Sequence, residues 1–293
     1  MNDSSPHGTQ PALRTSVAGP RILLLDIDGT LVDYHNVLPD SAVTAIRRAR
    51  QNGHRVLLCS GRAKPEVSDD LWNIGVDGYI GGNGNYVEYR GEIVLENALS
   101  SGDCRAIIDW LHGRGLEFYL ESNAGLFASA HFSTAAVPAM RLYSQRKGRP
   151  APEQDEVVLH GMILGGELHR DDVMKVSYLL SSPDDHAAAV AAFSHLQHGT
   201  WGGRGAEALF GDIGVAQGTK ATAVAALLAH LGAQRSDTIA FGDATVDLPM
   251  FEACGYGVAM GNASDDLLAV ADLVTDDVED DGLAHAFSRL GLV

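Results

Sequence analysis

The chain has 293 residues, 45% of them hydrophobic, enough to bury a large core in one or two domains. Its 38 acidic residues against 21 basic ones give a formal charge of −17, which argues against nucleic acid and anionic membranes as partners. No apolar run approaches the roughly 20 residues of a membrane span, and Cys59, Cys104 and Cys254 match neither a disulfide framework nor a zinc spacing, so free thiols in a reducing, cytoplasmic setting are expected.

Residues 1–19 are rich in Ser, Pro, Gly and Thr and lack the apolar core of a signal peptide, so they read as a disordered tail. Ile22 to Leu25 then reads as a buried parallel strand that runs into Asp26-Ile27-Asp28-Gly29-Thr30. Pro39-Asp40-Ser41 opens a helix with apolar positions at Ala42, Val43, Ala45, Ile46 and Ala49, and Gly53 closes it. A second strand, Arg55 to Cys59, ends at Ser60-Gly61-Arg62. A helix-like stretch, Pro65 to Asn73, leads to a short strand at Tyr79-Ile80 and the turn Gly81 to Asn85. Strand–helix–strand–helix–strand is the grammar of a parallel sheet with crossover helices.

The middle of the chain changes character. Tyr86 to Tyr89 and Glu92 to Leu95 flank Arg90-Gly91 as a hairpin. A helix near Asp103 to His112, a strand at Glu117 to Glu121 and a helix near Ala135 to Gln145 follow, then a basic loop from Arg146 to Gln154. Val173 to Leu180 and Ala206 to Phe210 read as strands on either side of a helix from Asp184 to Leu196. From Gly218 the first grammar resumes: helix Lys220 to Leu231, strand Thr238 to Phe241, turn Gly242-Asp243, helix Leu248 to Ala253 and strand Gly257 to Met260. Helices at Asp265 to Val270 and Gly282 to Leu290 close the chain. The expected fold is α/β, a parallel Rossmann-like sheet built from residues 20–85 and 206–293, with an α+β unit of residues 86–205 inserted.

Four groups of polar residues lie just after an apolar strand or at a helix start: Asp26, Asp28 and Thr30; Ser60, Gly61 and Arg62; Lys220; and Asp243 with Asp247. Ligands bind at the carboxyl ends of strands in open α/β sheets. Together these groups supply a carboxylate nucleophile, a cation clamp, a hydroxyl for phosphate oxygens and a fixed positive charge, which is what phosphoryl transfer through a carboxylate requires.

The order D-x-D-G-T, S-G-R, a downstream Lys and G-D-x-x-x-D resembles the haloacid dehalogenase-like superfamily of Mg²⁺-dependent phosphatases. Ala240 to Asp243, Val258 to Ala263, Ala271 to Thr275, Glu279 to Leu283 and Asn83-Gly84 are similar to its Cof-type branch, whose inserted class IIB cap would occupy residues 86–205. The resemblance implies Asp26 as nucleophile and Asp28 as acid and base. It also implies Mg²⁺ on the Asp26 carboxylate, the Asp28 carbonyl and Asp243, and Ser60 and Lys220 on the phosphoryl group. Thr30, Gly61, Arg62 and Asn83 would join the phosphate site, and Asp247 would support Lys220 or metal-bound water. The substrate would be a small phosphorylated metabolite, with monomer and homodimer both open.

Two departures stand out. Val246 occupies the position before Asp247 where the branch usually has Asn, a contact that Thr245 could supply, and Gln217 stands where some relatives carry the lysine. A phosphomutase of the same superfamily and a silent binding protein are the alternatives. In the cap, Glu121, Asn123, His131 and Arg204 are polar enough to reach a substrate, and solvated loop positions are the competing reading for each.

Overall fold

The first apolar run decides the architecture. β1 (Ile22–Leu25) is buried on both faces, with Leu23 and Leu25 in one core cluster and Ile22 and Leu24 in another. A strand with no solvent face belongs in mid-sheet with helices on either side. A computed structural model of the chain, which describes residues 19–148, 154–203 and 205–293, has that arrangement.

β2 (Arg55–Cys59) and β3 (Gly78–Gly81) run parallel beside β1, and an antiparallel hairpin, β4 (Tyr86–Tyr89) and β5 (Glu92–Glu96), extends that edge. A second sheet follows: β6 (Phe118–Ser122), β7 (Gly125–Ala128), β8 (Met162–Leu164), β9 (Lys175–Leu179), β10 (Gln197–Trp201) and β11 (Phe210–Gly214). β12 (Thr238–Gly242), β13 (Tyr256–Ala259) and β14 (Leu273–Val274) then return to the first sheet in parallel on the other side of β1. Its order is β14-β13-β12-β1-β2-β3-β4-β5, and that of the second is β10-β11-β9-β6-β7-β8.

Helices Asp40–Gln51 and Gly282–Arg289 cover one face of the large sheet through Ala42, Ile46, Leu283 and Phe287. Lys220–Leu231 and Leu248–Ala253 cover the other through Val224, Leu227, Met250 and Phe251. The smaller sheet turns Phe118, Leu120, Val176, Tyr178 and Ile213 onto helices Ser101–Arg114 and Pro183–Ala192. The longer of these starts at Ser100, whose hydroxyl accepts the Asp103 N–H, and stops at Gly115 in the left-handed region. By register, the opposite face of this sheet carries Tyr119, Glu121, Lys175, Ser177 and Asp212.

Sheet membership changes elsewhere than at the expected boundaries of 86 and 205. The hairpin of β4 and β5 belongs to the large sheet, where Val87 and Tyr89 share a cluster with Leu24. β11 belongs to the inserted sheet and starts at Phe210, where the expected strand would have ended. The Pro65 to Asn73 stretch breaks into two short helical turns, Lys64–Glu66 and Asp69–Trp72. β7, β8 and β10 carry no clear period-2 signal: β7 begins with Gly125, Gly161 and Gly165 flank β8, and Gly199 lies within β10. The tail through residue 18, Arg204 and residues 149–153 of the basic loop lie outside the described residues. The three cysteines are free and buried, and no described helix is long and apolar enough to cross a membrane.

Candidate active site

Strand order reverses around β1 and β12, and a crevice opens at the carboxyl ends of strands at such a switch point. Asp26 follows β1 and is tied to β12 by its N–H to the Phe241 carbonyl, 3.0 Å. Asp243 follows β12, and Asp247 ends the helical turn Thr245–Asp247. One oxygen from each of these three buried carboxylates lies within 4.8 Å of the others.

Lys220 supplies the cation among them. Its ammonium donates to Asp26 Oδ1 at 2.7 Å and to Asp247 Oδ1 at 2.6 Å, with the side chain almost wholly buried. The sequence aims it there through close backbone contact. Thr219 caps the helix that Lys220 begins, and the Gly82-Asn83-Gly84 turn packs on that cap. A Cβ on Gly84, whose φ is +98°, would stand 2.1 Å from the Thr219 carbonyl oxygen, so only glycine permits the approach.

Asp247 accepts three bonds: Oδ1 takes Lys220, and Oδ2 accepts the N–H groups of Asp243 and Ala244, each at 3.1 Å. Asp243 is held differently. Oδ1 accepts from the Thr30 hydroxyl at 3.2 Å and Oδ2 from the Tyr34 hydroxyl at 2.6 Å. Gly29, at φ +89°, makes room for this pair, since a Cβ there would meet Asp243 Oδ2 at 2.3 Å and the Tyr34 oxygen at 2.9 Å.

The electrostatics follow from burial. Removal from water raises Asp26 well above the usual carboxylate range, with Asp247 adding to the effect and Lys220 opposing it. Burial likewise raises Asp243 to about 6, against the pull of the Tyr34 and Thr30 hydroxyls. For Lys220 burial acts downward, but Asp26 and Asp247 outweigh it and hold the ammonium well above its ordinary value. Three carboxylates against one ammonium leave a formal −2, so an oxygen-ligated divalent cation fits the donor set and its charge.

Asp28 stands apart from the three. Its side chain is 46% exposed and forms a bidentate pair with Arg62, from Nε at 3.0 Å and NH2 at 2.6 Å. Arg62, expected at the phosphate, is thus engaged by Asp28, while its backbone N–H donates to Ser60 Oγ. Ser60 is buried and can still donate its own proton. Asn83 adopts a left-handed conformation, φ +56°, and its Oδ1 crosses Gly61, where a Cβ would come within 2.7 Å. Thr30, also expected at the phosphate, faces Asp243. Val246 is 53% exposed, and the Thr245 hydroxyl faces Ser264 at 3.4 Å.

The cap candidates separate. Glu121 is buried, accepts from Ser177 at 2.6 Å, and lies 3.1 Å from Lys175 with Oε2 lacking a directed hydrogen bond. Glu66, just past Arg62, is raised to about 7 by burial and by Glu121, which brings the core and the cap face into electrostatic contact. Asn123 bonds Glu96 and lines a separate open hollow of about 690 Å³ with Lys64, Trp72, Tyr86 and His160. His131 is exposed and donates its N–H to Glu117. Two residues that the sequence did not single out complete the site. Tyr34 is one, and Asn262, whose amide donates to the Gly29 carbonyl at 2.8 Å and to the Tyr34 oxygen at 3.4 Å, is the other.

A mostly parallel α/β sheet with carboxylates at its switch point and a second sheet inserted in the chain defines the class of fold. Residues 23–287 match the haloacid dehalogenase-like hydrolases, and the chain belongs to that family. It is 28% identical to YkrA of Bacillus subtilis over 275 residues, covering 93% of this chain and 98% of YkrA. It is 25% identical over 291 residues to 5-amino-6-(5-phospho-D-ribitylamino)uracil phosphatase YwtE of the same organism, covering 92% and 98%. The subclass IIB sugar phosphatase BT4131 shares the fold, with a TM-score of 0.72 over 93% of this chain and 100% of that one at 22% identity. The chain is a phosphatase, in a family that generally uses a divalent metal.

Proposed function

We propose that the chain is a Mg²⁺-dependent phosphatase that hydrolyses a sugar phosphate or similar metabolite through an aspartyl-phosphate on Asp26. The observation that carries this reading is the buried Asp26–Asp243–Asp247 cluster with Lys220 as its one bonded cation. Asp247 already accepts three hydrogen bonds, so Asp26 and Asp243, with the Asp28 carbonyl, are the groups assigned here to the ion. When bound, Mg²⁺ would supply positive charge for the phosphoryl oxygens.

The remaining chemistry belongs to the side chains. Lys220 engages Asp26 Oδ1, and the other carboxylate oxygen attacks phosphorus as the bond to the leaving alcohol breaks. Asp28, at the rim and paired with Arg62, leaves that pair and takes up a solvent proton as substrate enters, then gives this proton to the alcohol oxygen. It then takes a proton from water, which attacks phosphorus, frees phosphate and restores Asp26. Ser60 and Lys220 donate to the transferring group. The cap face of Glu121, Lys175 and Ser177 offers buried donors and acceptors suited to leaving-group hydroxyls. YwtE, named for a ribityl phosphate substrate, is a relative with such a leaving group.

The test is phosphate release from a panel of phosphorylated metabolites, with and without Mg²⁺, beside Asp26→Asn. Mg²⁺-dependent release that is lost in the variant is expected. Interconversion of hexose-phosphate isomers without release would replace this reading with a mutase. Folded protein that binds Mg²⁺ and does neither would point to a binding role.

A further inference from the structure

Tyr34 stands between the inserted cap and the candidate metal site. Tyr34, in the loop after β1, donates its hydroxyl to Asp243 Oδ2 at 2.6 Å, and the Asn262 amide donates to the Tyr34 hydroxyl oxygen at 3.4 Å. The cap meets the ring of that tyrosine. The Lys147 ammonium, just past the cap helix Val137–Arg146, lies 4.4 Å from the Tyr34 ring centroid. Next to it Gly148 abuts His35, where a Cβ would come within 3.4 Å of Cε1. A charge on the cap, an aromatic ring on the core and a carboxylate at the switch point therefore stand in contact in series.

We infer that Tyr34 is a positioning residue that couples the seating of the cap to the affinity of Asp243 for its metal ion. The inference rests on the reading that Asp26 and Asp243 hold Mg²⁺. Asp243 follows β12 and faces two other buried carboxylates, so without a fixed partner it would rotate away from them. The Tyr34 hydroxyl holds one oxygen, and Thr30 holds the other. Partners of this kind typically change metal affinity by about 10–100-fold when removed. Lys147 acts on Tyr34 in turn, because a cation over a partly exposed ring is worth a factor of about two to five. Linkage makes the effect reciprocal: a bound ion favours the seated cap by the same factor that the seated cap favours the ion.

Calorimetric titration of Mg²⁺ into the metal-free full-length protein tests the coupling without reference to turnover. Lys147→Met should weaken binding about two- to fivefold with the Tm lowered by no more than about 4 °C, and Lys147→Arg, which keeps a cation over the ring, should match wild type. Tyr34→Phe keeps the ring and loses the hydroxyl, and should weaken binding about tenfold. In the Tyr34→Phe background Lys147→Met should have no further effect, because the link to Asp243 is already cut. Equal Mg²⁺ affinity in Lys147→Met and wild type would overturn the inference, as would the same loss on both backgrounds. Wild-type protein that binds no Mg²⁺ would overturn the metal reading together with the inference, whereas binding without coupling overturns the inference alone.

Discussion

Replacing Asp243 with asparagine should stabilise the metal-free protein at neutral pH, although it removes a residue of the candidate site. Burial raises the Asp243 carboxyl from 3.8 to about 6, against the Tyr34 and Thr30 hydroxyls and with help from Asp247. At about 1.4 kcal/mol per pKa unit, ionised Asp243 costs the folded state roughly 3 kcal/mol well above pH 6. The sign follows from the order of the two values. The folded pKa lies above the unfolded one, so the stabilising contribution is complete below about pH 4 and is lost as pH rises through about 6. Asparagine escapes that loss but has a single acceptor oxygen for two hydroxyl donors, which costs about 1 kcal/mol. The net gain at pH 7.5 is about 2 kcal/mol, or a Tm about 4–8 °C higher. Scanning calorimetry in EDTA, at pH 7.5 and at pH 4, measures it. The gain should vanish or reverse at the lower pH, and Mg²⁺ should raise the Tm of wild type only. A variant no more stable than wild type at pH 7.5, or more stable by the same margin at both pH values, would refute the reasoning.

Asp28→Asn should slow phosphate release from alkyl monophosphates by about 10²–10⁴-fold. With p-nitrophenyl phosphate, whose leaving group needs no proton, the same variant should give a burst of nitrophenolate followed by slow turnover; equal loss in the first turnover of both substrates would remove Asp28 from the acid role. Gly84→Ala places a methyl group against the Thr219 carbonyl at a φ that disfavours side chains, and should cost about 1–3 kcal/mol in chemical denaturation, with a larger proportional loss of kcat as Lys220 shifts.

The parts of this site that the sequence disclosed share one property: each follows an apolar strand or begins a helix. Asp26, Asp28, Ser60, Lys220 and Asp243 could be placed because the run before or after them had a clear period. Tyr34 had no such frame. It lies in an irregular loop, and its partner Asp243 is 209 residues away. Asn262 was visible as part of a Gly-Asn turn, but its bond to the Gly29 carbonyl arises only when β13 is stacked two strands from β1. Arg62 and Thr30 were assigned to phosphate, and their side chains bond the carboxylates of Asp28 and Asp243, contacts that sequence spacing does not reveal. The sheet that a hairpin joins is hidden for a related reason. A hairpin such as β4–β5 reads the same whether it extends an old sheet or starts a new one.

The connectivity also sets an order of assembly. β2 follows β1 closely in the chain, but the strand on its other flank, β12, arrives only after the whole cap, and the bond from Lys220 to Asp26 spans 194 residues. Until the C-terminal third has been synthesised, β1 presents an apolar edge with unsatisfied backbone groups, a surface prone to misassociation. Closing so long a loop is slow, although its entropic cost rises only with the logarithm of length. The cap, with its own core beneath helices Ser101–Arg114 and Pro183–Ala192, can shorten that search by folding first and drawing its two ends together. The acidic cluster is then among the last features of the molecule to come into being, and no nascent fragment lacking β12 can carry it.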